Sequence, residues 1–302
     1  MILIITHKED YTSDFLINKL NAKKIKYVRW NCEDIINCNY QVDNNINFTF
    51  EGSNNFKAVW FRRTKLPNIE NISYSEKIYL LNEYDNLLKN LFCTINAKWV
   101  SNPFSIYQAE NKLYQLKIAN SLGFKIPNTL VTNSKKELLE FYKNNSKSLI
   151  IKPLSQSKII SNNEIEYIFT NILKDEHILE IEKYDLTPCI YQEKIEKTIE
   201  LRVTVVGEEI FIAGINSQVS EITKTDWRKG KLDFYIEELP KELKKKCISL
   251  VKSLNLKFGA IDLIKDKNGD YIFLEINPNG QWAWIENETG MKISDAIINE
   301  LA

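Results

Sequence analysis

Histidine is nearly absent from this chain: His7 and His177 are the only two in 302 residues. Five cysteines (Cys32, Cys38, Cys93, Cys189 and Cys247) form an odd, scattered set with no Cys-x-x-Cys pair. A zinc centre or a disulfide framework is therefore not expected, whereas reduced thiols in a cytoplasmic setting are. Net charge is missing too, because 40 basic residues balance 40 acidic ones. That balance supplies no long-range field toward nucleic acid or an anionic membrane. No apolar run approaches the ~20 residues that span a bilayer. The start, Met1-Ile2-Leu3-Ile4-Ile5-Thr6-His7, is apolar but short. It lacks a basic leader and a small-residue cleavage site, so it reads as a buried first strand and not as a signal peptide. What remains, 44% apolar and 26% charged residues, is ordinary globular composition with length enough for two or three units with their own cores.

Patterning suggests an α/β chain in three units, residues 1–105, 106–188 and 189–302. In the first, strand Ile2–Thr6 leads to a helix near Thr12–Leu20 and a strand Lys26–Trp30. An Asn-rich stretch follows, in which Phe48 and Phe50 alternate as in a hairpin. Then come strand Lys57–Arg62 and helix Ser75–Phe92, with Ile78, Leu81, Leu88, Leu91 and Phe92 at helical spacing. Trp99–Pro103 is extended, since a residue before proline avoids helix. The middle unit opens with helix Gln108–Leu122, stopped by Gly123. Strand Asn128–Thr132, helix Lys136–Asn144 capped by Asn133 or Ser134, and strand Ser148–Lys152 follow. The last unit carries strands Cys189–Lys194, Glu200–Val206 and Glu209–Asn216, with Gly207 at the tight turn between the latter two. Helix Lys241–Leu254, a strand pair Gly259–Ile264 and Tyr271–Ile276, and helix Lys292–Leu301 complete it.

Chemistry gathers in that last strand pair. Residues two apart on a strand share a face, so Glu275 and Asn277 converge while Ile272, Leu274 and Ile276 point toward a core. A neighbouring strand carrying Asp262 would add a third oxygen ligand, and hard oxygen donors suit magnesium bridged to phosphates. Taken alone, the strand is equally an amphipathic one with solvent-facing acids. Lys152 ends an apolar strand and Lys112 lies on the helix opening the middle unit; both are candidate phosphate binders, or else surface lysines with buried stems. The segment Gln192-Glu193-Lys194-Ile195 can offer backbone groups to an adenine edge, with Glu196 or Glu200 near ribose hydroxyls; the alternative is an exposed edge strand. Arg202 sits among β-branched residues, where a guanidinium needs a polar cleft or a partner. Arg228, beside Asp226 and Trp227, has a fork suited to carboxylate or phosphate, unless Asp226 merely pairs with it.

The order Lys112, Lys152, Gln192–Ile195, Glu200-Leu201-Arg202, Arg228, Asp262 and Glu275-Ile276-Asn277 resembles the ATP-grasp carboxylate ligases. Val59-Trp60-Phe61-Arg62-Arg63, Asp226-Trp227-Arg228 and Asn277-Pro278-Asn279-Gly280-Gln281-Trp282 extend the resemblance to the microviridin-type peptide maturases, the graspetide synthetases. The resemblance implies an ATP-grasp fold with an N-terminal α/β unit and two subdomains clamping ATP. It implies that Asp262, Glu275 and Asn277 hold magnesium, two ions in all. Lys112, Lys152 and Arg202 would meet phosphates, and Arg228 the acyl phosphate or the acceptor, with Asp226 as a weaker candidate base. The reaction implied joins Glu or Asp side chains of a ribosomal precursor peptide to Ser/Thr hydroxyls or Lys amines. One departure stands out. The stretch after Lys152, Pro153 to Lys158, has no glycine, so Ser155 and Ser157 would have to donate to the triphosphate. Arg62 and Arg63 are candidates for acidic peptide residues, with a structural ion pair as the alternative. A RimK-like ligase with a free substrate and a non-catalytic ATP sensor are the competing readings. The expected partner is a precursor peptide, and a homodimer is left open.

Overall fold

Strand β1 (Ile2–Thr6) is buried along its whole length on both faces, as an apolar strand inside a parallel sheet must be. The computed structural model describes residues 1–155, 158–161, 164–167, 170–219, 223, 230 and 232–302, and of 158–161 and 164–167 the backbone alone. Helix α1 (Tyr11–Ala22) starts at Asp10, whose carboxylate accepts the Thr12 N–H at 3.2 Å. Strand β2 (Tyr27–Asn31), the hairpin β3 (Tyr40–Val42) and β4 (Phe48–Phe50), and strand β5 (Ala58–Phe61) follow. Helix α2 (Tyr74–Thr94) opens with a reciprocal Ser73–Glu76 capping box, and strand β6 (Lys98–Val100) completes a parallel sheet in the order β2-β1-β5-β6. Only the second half of α2 packs: Leu88, Leu91 and Phe92 are buried while Ile78 is exposed.

Where one helix Gln108–Leu122 is expected there are two, α3 (Pro103–Ala109) and α4 (Lys112–Ser121). Pro103 takes the first helical position, where its missing N–H costs nothing. Asn111 breaks the run. Its amide donates at 3.0 Å to the carbonyls of both Tyr107 and Gln108, serving the open end of α3. Next come β7 (Thr129–Leu130), α5 (Lys135–Asn144, capped by Ser134), β8 (Leu149–Pro153), the hairpin β9 (Lys158–Ser161) and β10 (Glu164–Tyr167), β11 (Asn171–Leu173), α6 (Asp175–Leu179) and β12 (Cys189–Glu193). Strand β12, expected in the last unit, pairs with β8 and β7 in a sheet ordered β11-β8-β12-β7. The middle sheet therefore extends past residue 188.

The third sheet is antiparallel. Strands β13 (Lys197–Val206), β14 (Glu209–Ile215) and β15 (Phe234–Ile236) precede helix α7 (Lys241–Ser253). Strands β16 (Phe258–Asp266) and β17 (Tyr271–Asn277) follow, and the order is β15-β14-β13-β16-β17. Gly207 turns β13 into β14 at φ 57°. Helix α7 covers one face with Cys247, Leu250 and Val251. Helices α8 (Ala283–Thr289) and α9 (Ile293–Leu301) lie between the third sheet and the first. Their cluster joins Ile2, Ile4 and Trp60 to Val206, Ala213 and Ala260 through Ile293, Ile297 and Leu301. Among the described residues no helix is long and apolar enough to cross a membrane.

Ile297 has no exposed surface in this shared cluster. Ile297→Ala is expected to lower stability by about 2–5 kcal/mol, read as a lower midpoint of denaturant unfolding. A midpoint equal to wild type would mean that α9 does not join the two sheets energetically.

Candidate active site

Three neighbouring strands bring the charged side chains together. In register, Arg202 of β13 lies opposite Asp262 of β16, and Asp262 opposite Glu275 of β17. Ala260 lies opposite Asn277. The β16–β17 register shifts between Asp262 and Leu263, leaving Leu274 without a partner as a bulge. This corrects the simple alternation expected for β17. Leu274 is only half-buried, whereas Phe273 has no exposed surface and joins the core with Ile276. Without the extra residue, Phe273 would share a face with Glu275.

Arg202 Nη1 donates to both Asp262 oxygens, at 2.8 and 2.9 Å, and Asn277 Nδ2 reaches Oδ2 at 3.4 Å. Arg202 Nε is buried with no partner among the described residues. Burial pushes the Asp262 carboxyl up; Arg202 opposes the shift, and Glu275 and Glu200 add to it, leaving the group at about 6. Lys112 contributes from α4: its Nζ donates to the Pro153 carbonyl at 3.1 Å and stands 3.9 Å from Glu275 Oε2. Lys152 comes from β8 of the middle sheet. Burial lowers its pKa, Lys112 and Lys197 lower it further, and Glu275 and Asp262 oppose this. Lys197 is itself held by Glu200 at 2.8 Å. Cations of the middle sheet and of α4 thus face carboxylates of the third sheet.

Among the described residues no three His, Cys, Asp or Glu side chains form a metal-binding group. Two carboxylates and a carboxamide are a partial oxygen set, which fits a magnesium ion that takes its other ligands from phosphate and water. Gly280 is required by close approach. A Cβ there would meet Arg202 Nη2 at 2.7 Å and Ala260 Cβ at 2.6 Å.

At the other end, Gln192 is buried, with Nε2 on Thr129 Oγ1 at 3.0 Å and Oε1 without a partner among the described residues. The Glu193 and Lys194 N–H groups donate to the carbonyls of Asn128 (3.0 Å) and Ser148 (2.9 Å). Those two N–H groups are thus already engaged within the protein. Glu196 is paired with Lys267 at 2.5 Å on the surface. Ser155 is exposed beyond β8. Ser157, Asp226 and Arg228 lie outside the described residues. Desolvation pushes the Glu110 carboxyl up, and the exposed Arg63 opposes that rise. Arg62 is 2% exposed, with Nε on Asp10 and Nη1 on two backbone carbonyls, the ion pair that the structural alternative expects, while Nη2 has no partner among the described residues.

Gln115 was not singled out from the sequence. Its amide is buried and pairs with both backbone groups of Ile276: Nε2 donates to the carbonyl at 2.8 Å and Oε1 accepts the N–H at 3.0 Å. Nε2 also donates to the Ala109 carbonyl at 2.6 Å. Helix α4, which carries Lys112, is thereby pegged to the strand that carries Glu275 and Asn277. The one signal was a polar residue on a helix face shared with buried Leu116 and Ala119.

Residues 109–301 match the model of the RimK-like ATP-grasp domain. The alpha-aminoadipate–LysW ligase LysX of Sulfurisphaera tokodaii is 23% identical over 222 residues, 71% of this chain and 75% of that protein. The RiPP-associated ATP-grasp ligase of Chryseobacterium gregarium, solved with ADP and a leader and core peptide, superposes with a TM-score of 0.89 at 29% identity, covering 99% of this chain and 96% of that one. The macrocyclase MdnC of Microcystis aeruginosa, solved with precursor peptide MdnA, gives 0.87 at 27% identity, over 99% and 98%.

Two outcomes are expected from this geometry. Gln115→Leu keeps the bulk but strands both polar groups of Ile276, at about 1–3 kcal/mol for each buried group left unpaired; unchanged stability and unchanged hydrogen exchange at the Ile276 amide would contradict the peg. Because Asp262 titrates near 6, above its ordinary value, a proton competes with a divalent cation as pH falls through that range. Magnesium affinity measured by calorimetry in the presence of a nucleotide should drop on acidification across this range, and a flat profile would remove Asp262 from the cation site.

Proposed function

The chain belongs to the family with the RimK-like ATP-grasp domain, and from that membership we propose that it is an ATP- and magnesium-dependent ligase acting on a ribosomal precursor peptide. A Glu or Asp side-chain carboxylate of the peptide attacks the γ-phosphate, ADP leaves, and the acyl phosphate is captured by a Ser/Thr hydroxyl or a Lys amine of the same peptide. Phosphate is released and a macrolactone or macrolactam forms. The observation that carries this reading is the extent of the likeness. The family domain covers residues 109–301, whereas the similarity to the two peptide-bound ligases runs over 99% of the chain and so includes the N-terminal unit.

The side chains divide the work in a physically sensible way. Asp262, Glu275 and Asn277 would hold magnesium, two ions in our reading, which offsets phosphate charge when an anionic carboxylate approaches. Lys112, from α4, and Lys152, from the middle sheet, bind phosphate oxygens. Arg202 turns its guanidinium to the γ-phosphate, and Arg228 meets the acyl phosphate or acceptor, with Asp226 orienting it or taking a proton. Gln192 to Ile195 border the adenine, Glu200 the ribose, and Ser155 and Ser157 the triphosphate. The three units we propose are an N-terminal α/β unit and two ATP-grasp subdomains, with β12 assigned to the middle one.

A second reading, a ligase that adds a free amino acid to a protein, is favoured by the likeness to LysX over 71% of the chain. One experiment separates them. The chain is incubated with ATP, magnesium and a short peptide rich in Glu/Asp and Ser/Thr/Lys, with and without free amino acids. The proposal expects the peptide to lose one water per ring as ADP appears; a mass gain of an amino acid residue supports the second reading, and an unaltered mass counts against both. Lys152→Met, which removes one charge-stabilising contact, should slow ring formation by about 10²–10³-fold.

A further inference from the structure

A buried arginine in the first unit reaches the loop that follows the metal ligands. Arg62 leaves the carboxyl end of β5, beside the end of β1, and is 2% exposed. Its Nε lies 3.4 Å from Asp10 Oδ2, and its Nη1 donates to the carbonyls of Asn279 (3.1 Å) and Gly280 (3.3 Å). The Asn279 amide returns a bond to the Arg62 carbonyl at 2.5 Å. Asp10 is fixed in turn, accepting from Thr6 Oγ1 at 2.8 Å and from Ser13 Oγ at 2.6 Å. Next along the loop, the Thr12 hydroxyl bonds the Gln281 side chain. A guanidinium can straddle two successive carbonyls while facing a carboxylate; an ammonium cannot present that fork.

The clasped loop is not remote from the site. Asn279 begins two residues after Asn277. A Cβ on Gly280 would lie 2.7 Å from Arg202 Nη2 and 3.3 Å from Asn277 Cβ, so the backbone there is in contact with both side chains that engage Asp262. Arg202 and Asn277 both lie against this one stretch of backbone.

We propose that Arg62, fixed by Asp10, is a positioning residue for the metal and phosphate site: it holds Asn279–Gly280 so that Asn277 and Arg202 keep their places about Asp262. This rests on the nucleotide-binding part of the ligase reading, and the test is built to separate the two. Wild type, Arg62→Lys and the double variant Asp10→Asn/Arg62→Met, which removes both buried charges at once, are compared by thermal unfolding and by calorimetry with AMPPNP, with and without magnesium. Ile297→Ala serves as a variant weakened in the core alone. The folded Arg62 variants should need about 10–100-fold more magnesium for half-maximal AMPPNP binding, while affinity without magnesium, which loses only the Arg202 contact, falls by a clearly smaller factor. Ile297→Ala should keep the wild-type magnesium dependence. Folded Arg62 variants with wild-type magnesium dependence overturn the proposal, as does an equal loss of affinity with and without the metal. A wild type that binds AMPPNP with magnesium but leaves every peptide unaltered removes the peptide-ligase reading and leaves this measurement intact.

Discussion

The pairing of Arg202 with Asp262 is the constraint around which the third sheet is arranged. A guanidinium and a carboxylate on adjacent inner strands cost desolvation energy that mutual attraction only offsets when the geometry is good and other polar atoms are provided for. The surroundings supply that geometry. Asn277 approaches the same carboxylate, Lys197 balances Glu200 on the same strand as Arg202, and the absence of a side chain at Gly280 leaves room for the guanidinium. An apolar pair would suit such a sheet better on stability grounds alone. Under the proposed function, the energy of this ion pair would be exchanged for contacts to phosphate and metal.

That exchange needs groups from outside the sheet, and the fold brings them from two directions. Lys152 arrives on the middle sheet and Lys112 on a helix pegged by Gln115 to the metal-ligand strand. The first unit carries none of the residues proposed for the nucleotide, yet it is bound to the same place through Arg62, Asn279, Thr12 and Gln281. Helices α8 and α9 share a buried cluster with the first and third sheets beside that attachment.

Much of this was legible in the sequence. The α/β class follows from the patterning of strands and helices, and the ATP-grasp fold and family from the resemblance that the ordered basic and acidic residues carry; the family domain and the solved ligases bear them out. Adjacency of Asp262 and Glu275 was readable because the residues fall on short apolar runs, whereas for Arg202 the sequence asked only for a polar cleft or a partner, and the register supplies Asp262. What failed has a common physical origin, the competition between side chain and backbone. Asn111 bonds two carbonyls and splits a helix that periodicity alone draws as one. The bulge at Leu274 exchanges the faces of β17, which no alternation pattern encodes. Arg62 looks like a surface arginine until the backbone it binds, more than two hundred residues away in sequence, is in view. Strand β12 is apolar enough for either neighbouring sheet, and only its partners decide.

Gln115 has a consequence beyond holding α4. Strand β17 is the border of its sheet, and borders ordinarily offer free N–H and C=O groups to any extended chain. Here the amide of Gln115 stands in for a neighbouring strand at Ile276, and the Lys125 carbonyl takes the Phe273 N–H at 2.8 Å. The border is sealed where the reactive groups lie. Addition of a strand through β-augmentation is disfavoured at Ile276 and Phe273. Under the proposed function, a peptide would then approach over the face of the sheet, where side chains and not backbone make the selection.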